Sequence, residues 1–391
     1  MDPFFREYFD EPIDRRGTGA IKWDALEDHF GARDLLPAWV ADMDFRTVPE
    51  IPKAIADRAA HAVYGYTDMT GEMREAEAGW LKRRHSLEVR PEWILSSPGV
   101  VDSVHFCVRA FTEKGDGILF QTPSYGPFHR AVEMFERREV TSPLLETPEG
   151  WRMDFEDLEK KLPTVRMMIL CSPHNPVGRV WTAEELTRLV DLCSCHDVIL
   201  VSDEIHADFV FDGREHRRIL SIPGAEKCVM LSSATKSFNL AGLRCSSCVI
   251  PDPGLREAFR TELDKAHAGT PNLFAAIAQT TAYTCGDAWM DALKEYLCEN
   301  RDRSVAFFRE KLPAVAARPQ EGTYLMWLDL RAFGRPHREL EERLIRKARV
   351  ALNSGLDFGP CGEGFFRLNL ASPAAHIDEV LERIRSAFEG L

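Results

Sequence analysis

Five short apolar runs, each ending in a polar loop, constrain this chain more than any other feature. They are Gly117-Ile118-Leu119-Phe120, Met167-Met168-Ile169-Leu170-Cys171, Val198-Ile199-Leu200-Val201, Cys228-Val229-Met230-Leu231 and Cys248-Val249-Ile250. A run without polar alternation is a strand covered on both faces. Between the second and third runs, Thr182-Ala183-Glu184-Glu185 has the form of a capping box and opens a helix towards His196. Strands alternating with helices give a mostly parallel sheet, so residues 94 to 250 predict an α/β core.

The C-terminal third reads differently. Helical patterns dominate there, with one strand candidate at Tyr324-Leu325-Met326-Trp327-Leu328. The last helix places Ile377, Val380, Leu381, Ile384 and Phe388 on one face and Asp378, Glu382 and Arg385 on the other. This predicts a smaller α+β domain. The segment before about residue 48 shows no sheet pattern of its own and is expected to join it. The expected division is a large domain over 48–285 and a small one over 1–47 and 286–391.

Composition removes several function classes. Lys and Arg number 49 against 62 Asp and Glu, a net charge of −13. Such a chain offers no general attraction to nucleic acid or anionic membrane. Met1-Asp2-Pro3-Phe4-Phe5-Arg6-Glu7 is too charged for a signal peptide, and no stretch reaches the roughly 20 apolar residues that span a bilayer. Residues 266–286 lack Asp, Glu, Lys and Arg, but they are rich in Gly, Pro, Thr, Asn and Gln, and are expected to be buried or interfacial. The ten cysteines have no framework spacing and are expected as the reduced thiols of a cytoplasmic protein. Cys245-Ser246-Ser247-Cys248 lacks the second pair that a tetrahedral metal needs, so we expect strand residues there and no metal.

In an open parallel sheet, ligands bind beyond the carboxyl ends of the strands. Four junctions there carry suitable groups. Ser172-Pro173-His174-Asn175-Pro176-Val177-Gly178 is either an ordinary Pro/Asn loop or a stiff turn that aims one amide. Asp203, in Ser202-Asp203-Glu204-Ile205-His206, is either a helix N-cap or a buried carboxylate that needs a cation. Lys236, in Ser232-Ser233-Ala234-Thr235-Lys236-Ser237-Phe238-Asn239, is either a solvated loop lysine or a desolvated amine able to form a Schiff base. Ser96-Ser97-Pro98-Gly99-Val100-Val101 is a small-residue turn into a helix at about Asp102, and its N–H groups suit an anion. An amine, a carboxylate, an amide and an anion-binding turn on one sheet edge form the set that pyridoxal phosphate requires.

With Trp39-Val40-Ala41-Asp42-Met43-Asp44-Phe45, Pro173-His174-Asn175-Pro176-Val177-Gly178-Arg179-Val180-Trp181, Asp203-Glu204-Ile205-His206 and Lys236-Ser237-Phe238-Asn239 in view, the chain resembles the fold-type I pyridoxal-phosphate enzymes of the class I/II aminotransferase superfamily, over nearly its whole length. Within them it most resembles the MalY/PatB-type cystathionine β-lyases. The resemblance implies an aspartate-aminotransferase-like fold, a large domain with a mostly parallel seven-stranded sheet covered by helices and a smaller α+β domain. It implies pyridoxal 5'-phosphate as cofactor, with Lys236 as the Schiff-base lysine, Asp203 on the ring nitrogen, Asn175 and His206 by the ring oxygen and Tyr125 stacked on the ring. Ser233, Gly99, Val100, Val101 and Arg244 would hold the phosphate. Tyr66 would reach the phosphate and substrate of a neighbouring subunit, making a homodimer with shared active sites. Arg367, with Asn175 and Ala41, would bind the substrate, its fork suiting a carboxylate. Arg244 is common in transaminases and often missing from the lyase branch. The branch-specific motifs imply β-elimination from a cysteine S-conjugate such as cystathionine, while Arg244 weighs towards the alternative, transamination of an amino acid. A cofactor-bound regulatory protein is a third reading.

Overall fold

The computed structural model describes all 391 residues. The chain forms two compact units, one of Thr47–His174 and Arg179–Met290, the other of Met1–Arg46, Asn175–Gly178 and Asp291–Leu391.

The larger unit is built on a seven-stranded sheet. Its strands are β1 (Ile94–Ser97), β2 (Gly117–Thr122), β3 (Arg138–Pro143), β4 (Met167–Cys171), β5 (Ile199–Asp203), β6 (Val229–Ser232) and β7 (Ser246–Val249). Their spatial order is β1-β7-β6-β5-β4-β2-β3. Every pair from β6 across to β3 is parallel, while β7 is antiparallel to both its neighbours. All five apolar runs lie in this sheet. Leu119, Met168, Val201, Met230 and Cys248 are each at most 1% exposed, as strands with both faces covered demand. The capping box is present: Glu185 N donates to Thr182 Oγ1 at 3.2 Å and Thr182 N to Glu185 Oε2 at 2.8 Å. The helix it opens is Ala183–Cys195.

Two of the seven strands correct the sequence reading. Ser96 and Ser97, expected in a turn, end β1 and pair with Ser247 and Ser246 of β7. Four facing serines look like a loop in sequence, yet here they form a buried ladder. The helix that follows starts at Val100, not near Asp102. The other strand, β3, lies at the sheet edge with one buried residue, Ser142, so no apolar run announces it. Cys245 and Cys248 are buried core residues at and in β7.

The smaller unit has a four-stranded antiparallel sheet, in the order Ala316–Ala317, Leu325–Asp329, Phe365–Asn369, Asn353–Ser354. The C-terminal helix Ala374–Phe388 buries Ile377, Val380, Leu381, Ile384 and Phe388, the face its period predicts. These side chains share a core with Met326, Leu328, Phe366 and Leu368. The N-terminal segment does contribute sheet: Leu36–Pro37 pairs in parallel with Val350–Ala351. Two residues, one of them proline, carry no legible alternation.

Candidate active site

In the larger unit the ends of β5 and β6 and the start of β7 meet at one edge. Asp203 pairs with Cys171 and Leu231 on either side, and Ser232 with Ser247. The antiparallel direction of β7 is what brings Arg244 and Cys245, which precede it, to the edge where other strands end.

Asp203 is the last residue of β5 and is 5% exposed. No helix follows it. Its Oδ1 accepts the Ile205 N–H at 3.1 Å, so the side chain closes a turn. Burial pushes this carboxyl up to about 7; Glu204 adds to the rise, while the Ile205 N–H and the Lys236 charge oppose it. Lys236 therefore lies within electrostatic reach of Asp203. A buried acid with one backbone donor is costly unless a cation faces it.

Lys236 sits in a single helical turn, Ala234–Ser237, held at three points. Ser233 Oγ donates to Cys245 O at 2.7 Å and accepts the Thr235 N–H at 3.0 Å. The Ser237 hydroxyl donates to Asp208. Thr47 Oγ1 donates to Phe238 O at 2.6 Å. The ring of Phe238 lies 5.2 Å from Trp80 and 5.7 Å from Trp289. His206 is buried in the turn after β5.

Gly99 caps the helix Val100–Phe111, so the N–H groups of its first turn begin there. A Cβ on Gly99 would lie 2.7 Å from Asp102 Oδ2, so a larger residue there would displace that carboxylate. Asp102 takes Arg244 Nη2 at 3.1 Å, and the Arg244 side chain stays two-thirds exposed. Tyr125 precedes the helix Gly126–Met134 and meets the Phe128 ring edge-on at 6.0 Å. Tyr66 stands apart from this group with its ring fully exposed.

In the smaller unit the remaining candidates come together around Arg367, in the strand Phe365–Asn369. This arginine is 4% exposed. Nη1 donates to Asn175 Oδ1 at 3.0 Å, and Nη2 donates to Asn353 Oδ1 at 2.6 Å and Trp39 O at 3.1 Å. The Phe358 ring lies 4.9 Å from the guanidinium. These acceptors are neutral, so they orient the fork without cancelling its charge. The irregular segment 39–44 is fixed by side-chain donors. Tyr324 Oη reaches Ala41 O at 3.0 Å, and Asn369 Nδ2 reaches Val40 O at 2.6 Å and Asp42 O at 2.7 Å. Sequence reasoning missed Asn353, Tyr324 and Asn369. No local motif marks them, because each acts through a register set by strand pairing.

The donor set suits pyridoxal phosphate. Asp203 is a buried acid short of a cation, and Lys236 is an amine within its field. The Gly99 turn suits an anion, and Tyr125 offers a flat apolar face, while the Ser233 hydroxyl, expected on the phosphate, gives its proton to Cys245 O.

Comparison with known proteins agrees with this. The family model "Aminotransferase class I and II" matches residues 40–384. The chain is 42% identical to cystathionine beta-lyase PatB of Bacillus subtilis, across 97% of this chain and 99% of that protein. It is 34% identical to protein MalY of Escherichia coli, across 95% and 96%. The crystal structure of cystalysin from Treponema denticola, which contains a pyridoxal 5'-phosphate cofactor, superposes with a TM-score of 0.94 at 36% identity, covering 97% of this chain and 98% of that one. The mostly parallel sheet thus has the aspartate-aminotransferase-like form that the motifs imply. With its motifs, its sheet and these relatives in agreement, this chain belongs to the class I and II aminotransferase family, on the branch that includes PatB and MalY.

Proposed function

We propose that this protein is a pyridoxal-phosphate-dependent carbon–sulfur β-lyase. It cleaves cystathionine or a related cysteine S-conjugate to a thiol, pyruvate and ammonia. The observation that carries the reading is Asp203, a sequestered acid whose burial holds its carboxyl near 7 beside the Lys236 amine. The identity to PatB, itself named a cystathionine beta-lyase, supports the choice of reaction.

When bound, the cofactor supplies an aldehyde for an amine and a ring that withdraws electrons from the substrate Cα. The residues do the rest. Asp203 keeps a proton on the ring nitrogen. Lys236 Nζ removes the Cα proton as general base. The electron pair left at Cα expels sulfur from Cβ as a thiolate, and water then completes the release of pyruvate and ammonia. Asn175 and His206 would hold the ring oxygen, and Tyr125 would support the ring face. The N–H groups at Gly99, Val100 and Val101 would hold the phosphate, joined by Arg244 and Ser233 on exchanging their present partners, Asp102 and Cys245 O. Arg367 takes the substrate carboxylate as a bidentate fork, beside the backbone of Ala41.

We place the working enzyme as a homodimer in the cytoplasm. The exposed run Val63, Tyr64 and Tyr66 supports the dimer, since neighbouring large apolar side chains in solvent mark a contact surface. Tyr66 then serves the phosphate and substrate of the neighbouring subunit. No helix is long and apolar enough to cross a membrane.

The test is to incubate the protein with cystathionine and to measure thiol and pyruvate, with and without a 2-oxo acid. Pyruvate formed without an acceptor is the expected result. Strict dependence on the acceptor would make the protein an aminotransferase, which uses the same residues.

A further inference from the structure

The end of β5 and the turn after it carry three acids, Asp203, Glu204 and Asp208, and the proposed chemistry uses only the first. Glu204 belongs to a buried chain of contacts. Its Oε1 accepts from Ser202 Oγ at 3.0 Å and from Ile219 N at 2.7 Å. Its Oε2 lies 3.4 Å from Arg218 Nη1 and 3.5 Å from His216 Nε2. Arg218 Nη2 is 2.9 Å from His85 Nε2, and that nitrogen is 2.8 Å from Asp208 Oδ1. Trp80 Nε1 also donates to Asp208 Oδ1, at 3.2 Å, and the Ser237 hydroxyl donates to Oδ2. These contacts lead from the neighbour of Asp203 to the neighbour of Lys236, with His85 Nε2 able to serve only one of its two partners at a time.

Every member of the path is at least nine-tenths buried. Two carboxylates face one guanidinium, because burial pulls His85 down to about 4 and leaves it neutral. His85 Nε2 cannot donate to Asp208 and accept from Arg218 at once. The charged and titratable groups felt at Asp208 are His85 and Arg218, with Glu204, His216, Glu77 and Tyr283 further along the same layer. Burial alone would raise its carboxyl, but His85, Arg218 and the Ser237 hydroxyl hold it well below the usual range.

We propose that Asp208 is a positioning residue for the Schiff-base lysine: it grips Ser237, fixes the turn that presents Lys236, and places a negative charge against the residue next to that lysine. The inference rests on Lys236 carrying the cofactor. A carboxylate in a dry layer acts over a longer range than one in water. It favours a proton on the Schiff-base nitrogen, and the Ser237 contact decides where that nitrogen points.

The experiment is a pH titration of the visible absorbance of the holoenzyme, for wild type, Asp208→Asn, Ser237→Ala and Ser237→Thr. Asp208→Asn is expected to raise the acid dissociation constant of that nitrogen about fivefold. Ser237→Ala is expected to lower kcat about tenfold with KM changed less than about twofold, and Ser237→Thr to restore it. An unmoved titration in Asp208→Asn, accompanied only by a lower melting temperature, overturns the proposal. If Asp208→Asn does not fold, a Ser237→Ala enzyme with wild-type kcat overturns it instead. A wild-type protein that takes up no cofactor sinks the role of Lys236 itself, an outcome distinct from both.

Discussion

Asp44 and Asp203 are both buried aspartates, 3% and 5% exposed, yet their surroundings are opposite. Asp44, in the smaller unit, receives Lys22 Nζ at 2.6 Å, Arg15 Nη1 at 2.8 Å, Trp23 Nε1 at 2.9 Å and Ser372 Oγ at 2.7 Å. Burial alone would push its carboxyl up, but the Lys22 charge and these donors hold it well below the ordinary range. Asp203, in the larger unit, has one backbone donor and is pushed up to about 7. The first site is electrostatically complete and serves the fold. The second has one backbone donor and only the field of Lys236 against its burial, the setting the proposed function needs in an acid that faces a ring nitrogen.

The contrast can be broken most sharply at Asp203. Asp203→Asn is expected to lower kcat about a thousandfold, while leaving the apoprotein as stable as wild type or more so. Turnover measured beside urea unfolding checks both halves, and a parallel loss of stability would put Asp203 in the same class as Asp44. Asp44→Asn should behave in reverse. It leaves the wholly buried ammonium of Lys22 with only the more distant Asp42 carboxylate, at 3.8 Å, and should cost about 3 kcal/mol of stability. The denaturant midpoint reads this directly.

Arg367 sharpens the comparison from the cationic side, since its oriented fork is held by neutral acceptors. Arg367→Lys should keep the charge, lose the bidentate geometry and lower kcat/KM about a hundredfold, mostly through KM. The smallest effect is expected at Glu77. It is 1% exposed, takes the Ser247 hydroxyl and Gln279 Nε2, and burial pushes it up to about 7. The native state keeps a proton that the unfolded chain gives up near 4.5. Glu77 and Asp203 should therefore both erode apoprotein stability as pH climbs from about 4 to about 7, and no further above that. Glu77→Gln should flatten part of that slope and gain about 1–2 kcal/mol at pH 8, with no gain at pH 4. Adding pyridoxal phosphate should flatten the part due to Asp203. Thermal unfolding across pH, with and without cofactor, separates the two contributions.

The parts legible in the sequence were those carried by local signals. The apolar runs gave the covered strands, Thr182 and Glu185 gave a helix start, and the lysine and aspartate stood where strands end. The edge strand Arg138–Pro143 was invisible because an exposed edge needs no apolar residues. Ser96 and Ser97 misled because a buried ladder of serines depends on partners about 150 positions away. Asp208 and His85 lie 123 positions apart, and Asn353 and Arg367 meet only through strand register. Such pairs leave no mark in spacing, so the supports of the candidate site stayed hidden.

The reversed direction of β7 also determines which loops can change freely. Around most of this sheet the working loops follow the strands, and the leading loops lie on the opposite rim. At β7 the assignment is exchanged. Lengthening the segment before Ser246 would disturb Arg244 and the carbonyl that receives Ser233, whereas lengthening the one after Val249 would alter a rim where Ile250 N merely joins Trp93 O. Natural or engineered insertions should thus be tolerated behind β7 and excluded ahead of it, the inverse of the rule for its neighbours.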